Sequence, residues 1–243
     1  MSAVNIIRQT NAVHIVADTA MFDREARLFA SLSQMHILEQ SQCVVYFFGK
    51  GISDVPPYMH NADTDYLLDN IGAMFRISRR ALVAEGDPSC ELGCVLAGWS
   101  EKRNALGAWR VASTADIAPD LFSSVQDFEP FRVYDAPFDG PFVVTSPGVS
   151  LSQTIGRIET YEEFDALDAE AVGLAILNVQ RHTAWNSDGQ FVHVVGGAAE
   201  IAIVTRDGAT KRTIAEWPDE IGKRIDPGPM PKKPTRACRN HLH

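Results

Sequence analysis

The sequence has little basic charge and no long apolar run, and each shortage excludes a class of protein. Its 243 residues include 22 Lys and Arg against 31 Asp and Glu, a net charge of −9, whereas nucleic-acid-binding proteins usually present a basic surface. The longest apolar runs, Cys43 to Phe48 and Ala171 to Leu177, are far too short to span a membrane. The first residues lack the basic start and apolar stretch of a signal peptide. We therefore expect a cytoplasmic protein with no nucleic-acid partner and no membrane partner.

Cysteine is also scarce. The four cysteines, Cys43, Cys90, Cys94 and Cys238, are too few and too scattered for the disulfide framework of a small secreted protein. Cys90 and Cys94 are spaced more widely than the usual zinc knuckle, and no second pair follows them. The spacing favours buried thiols over a metal site, and we expect neither a metal nor another cofactor.

The composition is sufficient for a sizeable core. Hydrophobic residues make up 45% of the chain, which fits one large domain of this length. We assign residues 1–224 to a single domain and residues 225–243, which are basic and rich in proline, to a C-terminal tail.

The chain opens with a predicted hairpin. Ser2 to Gln9 and Asn11 to Asp18 are rich in β-branched and apolar residues, and the residues between them are typical of a turn. Residues 19–33 have mixed charge without a clear period and are predicted to form a loop. Further strands are predicted at residues 34–38, 43–48, 91–99, 108–112, 142–145, 191–195, 200–205 and 210–214.

Two helical regions are predicted between these strands. The first begins after Pro57 with Asn61 or Asp63 as its N-cap, and apolar residues then recur at helical spacing. The second begins at Thr160, where the spacing to Glu163 matches a capping box, and continues to about residue 182 with a possible restart at Asp168.

The hairpin resembles the opening of a proteasome β-subunit or of its bacterial ring-peptidase relative. Those chains begin with a nucleophile, a strand, a turn and a second strand that ends in Ala-Asp or Gly-Asp, which matches Ser2 to Asp18. Further likenesses are the glycine-rich segment Gly49 to Asp54 and the segment Val195 to Gly197. The resemblance implies an α+β fold, the four-layer αββα sandwich of N-terminal-nucleophile (Ntn) hydrolases, with two antiparallel sheets between helical layers.

The resemblance also implies a catalytic chemistry. With Met1 removed, the Ser2 hydroxyl would attack an amide and the Ser2 α-amine would accept the proton, since a free α-amino group titrates at about 7.7–8.0. Asp18 would orient the nucleophile. Backbone N–H groups of Gly49, Lys50 and Gly51 would form an oxyanion hole, although glycine there also suits a tight structural turn. Ser146 would match a supporting serine.

Several positions depart from the family pattern. Gln34 stands where members of the family have a catalytic lysine, and Val192 and Val195 fall near the positions of a supporting acid and hydroxyl. The chain thus retains reactive positions at Ser2 and Asp18 but lacks the cation, which implies weak or lost activity.

Two functions remain open on this sequence. One is a threonine/serine-type peptidase or amidase that acts on a peptide or small amide. The alternative is a non-catalytic accessory or prophage-type subunit that uses the fold for assembly. A Ser-His-Asp hydrolase is less well supported because no Gly-x-Ser-x-Gly motif occurs. For either function the resemblance implies a homo-oligomer, for which a ring is one candidate form because relatives of this fold commonly assemble into rings.

Overall fold

A computed structural model describes residues 3–23, 25–49, 59–87, 90–122, 125–136, 142–144, 149, 151–156, 158–187 and 189–230. Its strands are β1 Val4–Gln9, β2 Ala12–Asp18, β3 Ala20–Phe22, β4 Leu28–Ser31, β5 Met35–Leu38, β6 Cys43–Gly49, β7 Leu92–Ser100, β8 Ala105–Ala112, β9 Tyr134–Asp135, β10 Phe142–Val144, β11 Trp185–Ser187, β12 Gln190–Val192, β13 Ala198–Thr205 and β14 Gly208–Glu216. Its α-helices are α1 Thr64–Ala84, α2 Pro119–Phe122, α3 Leu151–Ile155, α4 Tyr161–Asp165 and α5 Ala169–His182.

The strands form two large and two small antiparallel sheets. The first large sheet has the order β10-β1-β2-β13-β14, and the second has the order β5-β6-β7-β8-β9. Strands β3 and β4 form one small sheet, and β11 and β12 form the other. Because β13 pairs with β2, the closing part of the chain lies beside the opening hairpin.

The opening hairpin is confirmed. Strands β1 and β2 pair from Val4 opposite Ala17 to Gln9 opposite Ala12, and most of their residues are buried. Val4 and Ile6 pack in the cluster shared with the second sheet, whereas Ile7 packs in the cluster around α5. The alternation of side chains along the strand therefore fills two hydrophobic clusters from one strand.

The two large sheets pack face to face. Ile6 and Ile15 of the first sheet share a buried cluster with Tyr46 and Val95 of the second. The opposite face of the second sheet packs against α1, and that of the first sheet packs against α5. Asp63 caps α1, Thr160 caps α4 and Asp168 caps α5. Each side chain accepts a hydrogen bond from a backbone N–H group in the first turn of its helix. These caps confirm the predicted helix starts.

The predicted four-layer αββα sandwich, with two sheets between helical layers, is wrong. Four antiparallel sheets are present among the described residues rather than two. Of the helices in these ranges, α1 and α5 have 21 and 14 residues, while the others have four or five. Helices of one turn cover little sheet surface, so no continuous helical layer covers either outer face in the part of the chain described.

The prediction of a loop at residues 19–33 is also wrong. Strands β3 and β4 pair across this segment, with Ala20 opposite Ser31 and a register shift after Met21. The backbone of β4 is bonded on its other side to residues of the C-terminal segment, since Leu28 N donates to Lys223 O over 2.8 Å. Pairing with a distant part of the chain thus fixes strands that the local pattern does not predict.

Three further observations concern the cysteines, metal-binding groups and membrane-spanning helices. Cys43, Cys90 and Cys94 are buried thiols and form no disulfide with a described residue, as expected for structural cysteines. The described residues contain no group of three His, Cys, Asp or Glu side chains that could hold a metal ion. Among the helices described, none is long and apolar enough to cross a membrane.

Candidate active site

Asp18 lies at the end of β2 and is buried against three backbone N–H groups. Its Oδ1 accepts a hydrogen bond from Ala3 N over 2.7 Å. Its Oδ2 accepts from Gly196 N over 3.0 Å and from Ala20 N over 3.3 Å. The side chain is 1% exposed. The opening strand, the start of β3 and the segment before β13 therefore meet at this carboxyl group.

Burial dominates the electrostatics of this group. It raises the pKa of Asp18 from 3.8 to about 7, although the hydrogen bonds from Gly196, Ala3 and Ala20 act in the opposite direction. The positive charge of the N-terminal amine also lowers this pKa, and no described basic side chain adds to that effect. A carboxyl group with a pKa near neutrality and a fixed set of donors is a common feature of active sites.

Gln34 immediately precedes β5 in the second sheet and is half-buried. Its backbone carbonyl accepts from Phe47 N over 2.9 Å, which holds the residue beside β6. Its side-chain Oε1 is buried, and no donor among the described residues is hydrogen-bonded to it. The side chain therefore presents a buried acceptor and, unlike the lysine of the family pattern, carries no charge.

Gly49 ends β6 with a positive φ of 101°. A Cβ at this position would lie 2.2 Å from the backbone oxygen of Glu91 and 2.5 Å from Cδ1 of Ile117. The close approach of the neighbouring strand therefore explains this glycine on structural grounds. Its predicted part in an oxyanion hole stays a prediction.

Replacing Gly49 with alanine is expected to lower the free energy of unfolding by about 2–6 kcal/mol. A strained backbone conformation and an overpacked side chain each cost about 1–3 kcal/mol. Gly86 provides the matched control, since its φ is 104° but a Cβ there would meet nothing within 4 Å. Urea unfolding of the two variants should show Gly49→Ala to be the less stable by at least about 1 kcal/mol. Equal losses would contradict the packing explanation.

The remaining predicted site residues lie outside the described residues. They are Ser2, Lys50, Gly51 and Ser146. The structure thus describes Asp18, Gln34 and Gly49, of which Asp18 and Gly49 end strands in different sheets. The predicted roles of all seven residues remain proposals.

The pattern of the sequence missed a buried ion pair beside Asp18. Arg181, near the end of α5, donates to Asp219 through Nη1 over 2.7 Å and Nη2 over 2.6 Å, and each side chain is 4% exposed. The pair contacts the segment 195–197, whose central N–H binds Asp18. Arg181 and Asp219 are 38 positions apart, so no local pattern in the sequence links them.

Comparison with known proteins gives structural but not sequence relatives. No family model matches the chain. No curated protein matches it either. The chain is similar to the solved structure of Anbu (ancestral beta-subunit) from Yersinia bercovieri, with 10% identity, a TM-score of 0.52 and coverage of 87% of each chain. It is also similar to an Anbu (Gly-1) mutant from Hyphomicrobium sp. strain MC1, with 12% identity, a TM-score of 0.53 and coverage of 88% of each chain.

These similarities show a proteasome-like fold. At identities of 10% and 12%, these similarities assign neither catalytic residues nor a substrate to this chain. The resemblance drawn from the opening hairpin is therefore confirmed in part, for a proteasome-like fold alone.

Proposed function

We propose that this chain is an N-terminal-serine amide hydrolase of low intrinsic rate. Its nucleophile is Ser2 after removal of Met1, and its substrate is a peptide or a small amide. The observation that carries the proposal is the hydrogen bond from Ala3 N to the buried carboxyl group of Asp18. This bond holds Ala3, the residue that directly follows Ser2, against the acid that the proposed chemistry requires.

In this proposal the Ser2 hydroxyl attacks the amide carbonyl while the α-amine of the same residue accepts the proton. Asp18 stabilises the protonated amine. Backbone N–H groups of Gly49, Lys50 and Gly51 stabilise the oxyanion, with a contribution of about 10²–10³ in rate for a typical donor, and Ser146 supports the nucleophile. Gln34 supplies a hydrogen-bonding group but no charge, which explains the low rate.

The lack of a cation also supports a second candidate function. No described basic side chain compensates Asp18, and Gln34 occupies the position of the family lysine. A non-catalytic accessory or prophage-type subunit would need only the fold. We extend both proposals to a homo-oligomer, because one similar structure is that of an ancestral beta-subunit. We also extend them to the cytoplasm, the location expected from the sequence.

A peptide epoxyketone distinguishes the two functions, because the probe requires both the hydroxyl and the free amine of an N-terminal residue. Natively expressed protein is expected to lack Met1 by intact mass and to gain one probe per chain. Ser2→Thr should retain the labelling, since threonine keeps both reacting groups, and Ser2→Ala should lose it. Retention of Met1, or equal labelling of Ser2→Ala, would instead support the non-catalytic subunit.

A further inference from the structure

The buried pair of Arg181 and Asp219 contacts every residue of the segment 195–197. Arg181 Nη1 donates to Val195 O over 2.9 Å. Gly197 N donates to Asp219 Oδ2 over 2.8 Å. Between them, a Cβ on Gly196 would lie 2.5 Å from Asp219 Oδ2 and 2.9 Å from Arg181 Nη1. The pair therefore fixes the backbone on both sides of Gly196. Together with Ile225, whose Cδ1 would lie 2.2 Å from the same Cβ, it leaves no room for a side chain.

The same pair is held from its far side. The guanidinium of Arg181 lies over the ring of Trp217, 5.0 Å from its centroid. Trp217 N in turn donates to Gly197 O over 2.9 Å. Arginine presents a planar fork of donors that lysine cannot reproduce, so this geometry depends on the guanidinium as well as on its charge.

We propose that Arg181 and Asp219 are positioning residues for Asp18, holding the segment 195–197 so that the Gly196 N–H donates to the Asp18 carboxylate. This hydrogen bond measures 3.0 Å. The positioning of Asp18 is argued from described residues alone. Only the effect of this positioning on activity rests on the proposed function. It assigns a role at the site to the segment that follows β14, from which Asp219 comes.

Two variants that conserve charge test the proposal in the full chain. Arg181→Lys removes the fork, and Asp219→Glu displaces the carboxylate, so either should loosen Gly196 without altering the net charge. A carboxylate that loses a donor binds its proton more tightly. We expect the pKa of Asp18, followed by ¹³C NMR of its carboxyl carbon, to rise by about one, which is a tenfold change in proton affinity.

The exposed pair of Arg212 and Glu170 supplies a matched control. Arg212 Nη2 bonds to Glu170 Oε2 at the start of α5, and neither residue is among the partners of the segment 195–197. Glu170→Asp should leave the pKa of Asp18 unchanged. A purely structural role would lower the urea midpoint of Arg181→Lys without moving the Asp18 titration, and that result would overturn the proposal.

A measurement on the wild-type chain serves if both variants fail to fold. The amide proton of Gly196 should change its chemical shift with the same midpoint as the Asp18 carboxyl carbon, since the two groups share a hydrogen bond. A Gly196 amide that ignores the titration would refute the positioning role. Labelling by the epoxyketone is scored separately, so an unlabelled wild type with the expected titrations would contradict the proposed function alone.

Discussion

Unfolding is expected to become easier as the pH rises from 5 to 8, because Asp18 binds its proton more tightly in the folded chain than in the unfolded chain. Burial raises the pKa of Asp18 from 3.8 to about 7. Between these values the folded state holds the extra proton, so the free energy of unfolding falls as the pH rises. At 1.36 kcal/mol per pKa unit, Asp18 alone accounts for about 4 kcal/mol over the whole window and about 3 kcal/mol between pH 5 and 8.

Urea unfolding at pH 5, 6, 7 and 8 checks this dependence in wild type and Asp18→Asn. The amide does not titrate, so the variant should lose the decline whatever its absolute stability. His14 is present in both proteins, and burial lowers its pKa, which makes its own contribution rise with pH in the opposite sense. Parallel curves for the two proteins would contradict the prediction, as would an Asp18 carboxyl carbon that titrates near pH 4.

The sequence predicts the local elements of this fold better than their long-range pairing. Asp63 and Asp168 mark helix starts because an N-cap is a local signal, recognisable within one turn. Strands β3 and β4 were missed because their stability comes from partners elsewhere in the chain, including the bond from Leu28 to Lys223. The expected helical layers failed for a related reason, since a capping residue such as Thr160 starts a helix but does not set its length.

The candidate site was predicted only in part, because local sequence signals do not show contacts between distant residues. Asp18 stands out because an acid that ends an apolar strand is visible in the pattern, yet its burial and its three N–H donors depend on tertiary structure. Gly196 was noted within a glycine pair, but its bond to Asp18 joins residues 178 positions apart. Arg181 and Asp219 form a pair that no local pattern contains.

Introducing the missing cation is expected to raise activity more than any other single change. Gln34→Lys should increase the turnover of fluorogenic peptides by Met1-free protein about 100-fold, which corresponds to about 2.7 kcal/mol at 1.36 kcal/mol per tenfold. Charge-assisted hydrogen bonds are roughly twice as strong as neutral ones, and a buried site strengthens them further. Gln34 is half-buried, and its Oε1 accepts no hydrogen bond from a described donor. Replacing it with lysine therefore breaks no existing hydrogen bond of that oxygen among the described residues.

Lys211 and Arg27 are described cations that could supply this charge naturally. Lys211 Nζ donates to Ser33 Oγ over 2.9 Å and to Met35 O over 2.8 Å, so its ammonium is held by the two residues that flank Gln34. Arg27, close in sequence to the site, is exposed and bonded to Asp23 over 2.9 Å and to Glu25 over 3.1 Å. Its guanidinium is therefore already paired with carboxylates. Arg24 and Lys50 lie outside the described residues.

Three variants separate the effect of charge at this site from other effects. Gln34→Met keeps a side chain of similar length without charge and should show no gain, while Gln40→Lys adds the same charge at an exposed position and should also show none. Ser2→Ala in the Gln34→Lys background should abolish the turnover. High wild-type turnover that Ser2→Ala removes and Gln34→Lys leaves unchanged would overturn the reasoning. In the proposed site, where position 34 takes the place of the family lysine, an ammonium group there should also lower the pKa of Asp18 and flatten the decline of stability above pH 5. This titration tests the variant independently of turnover.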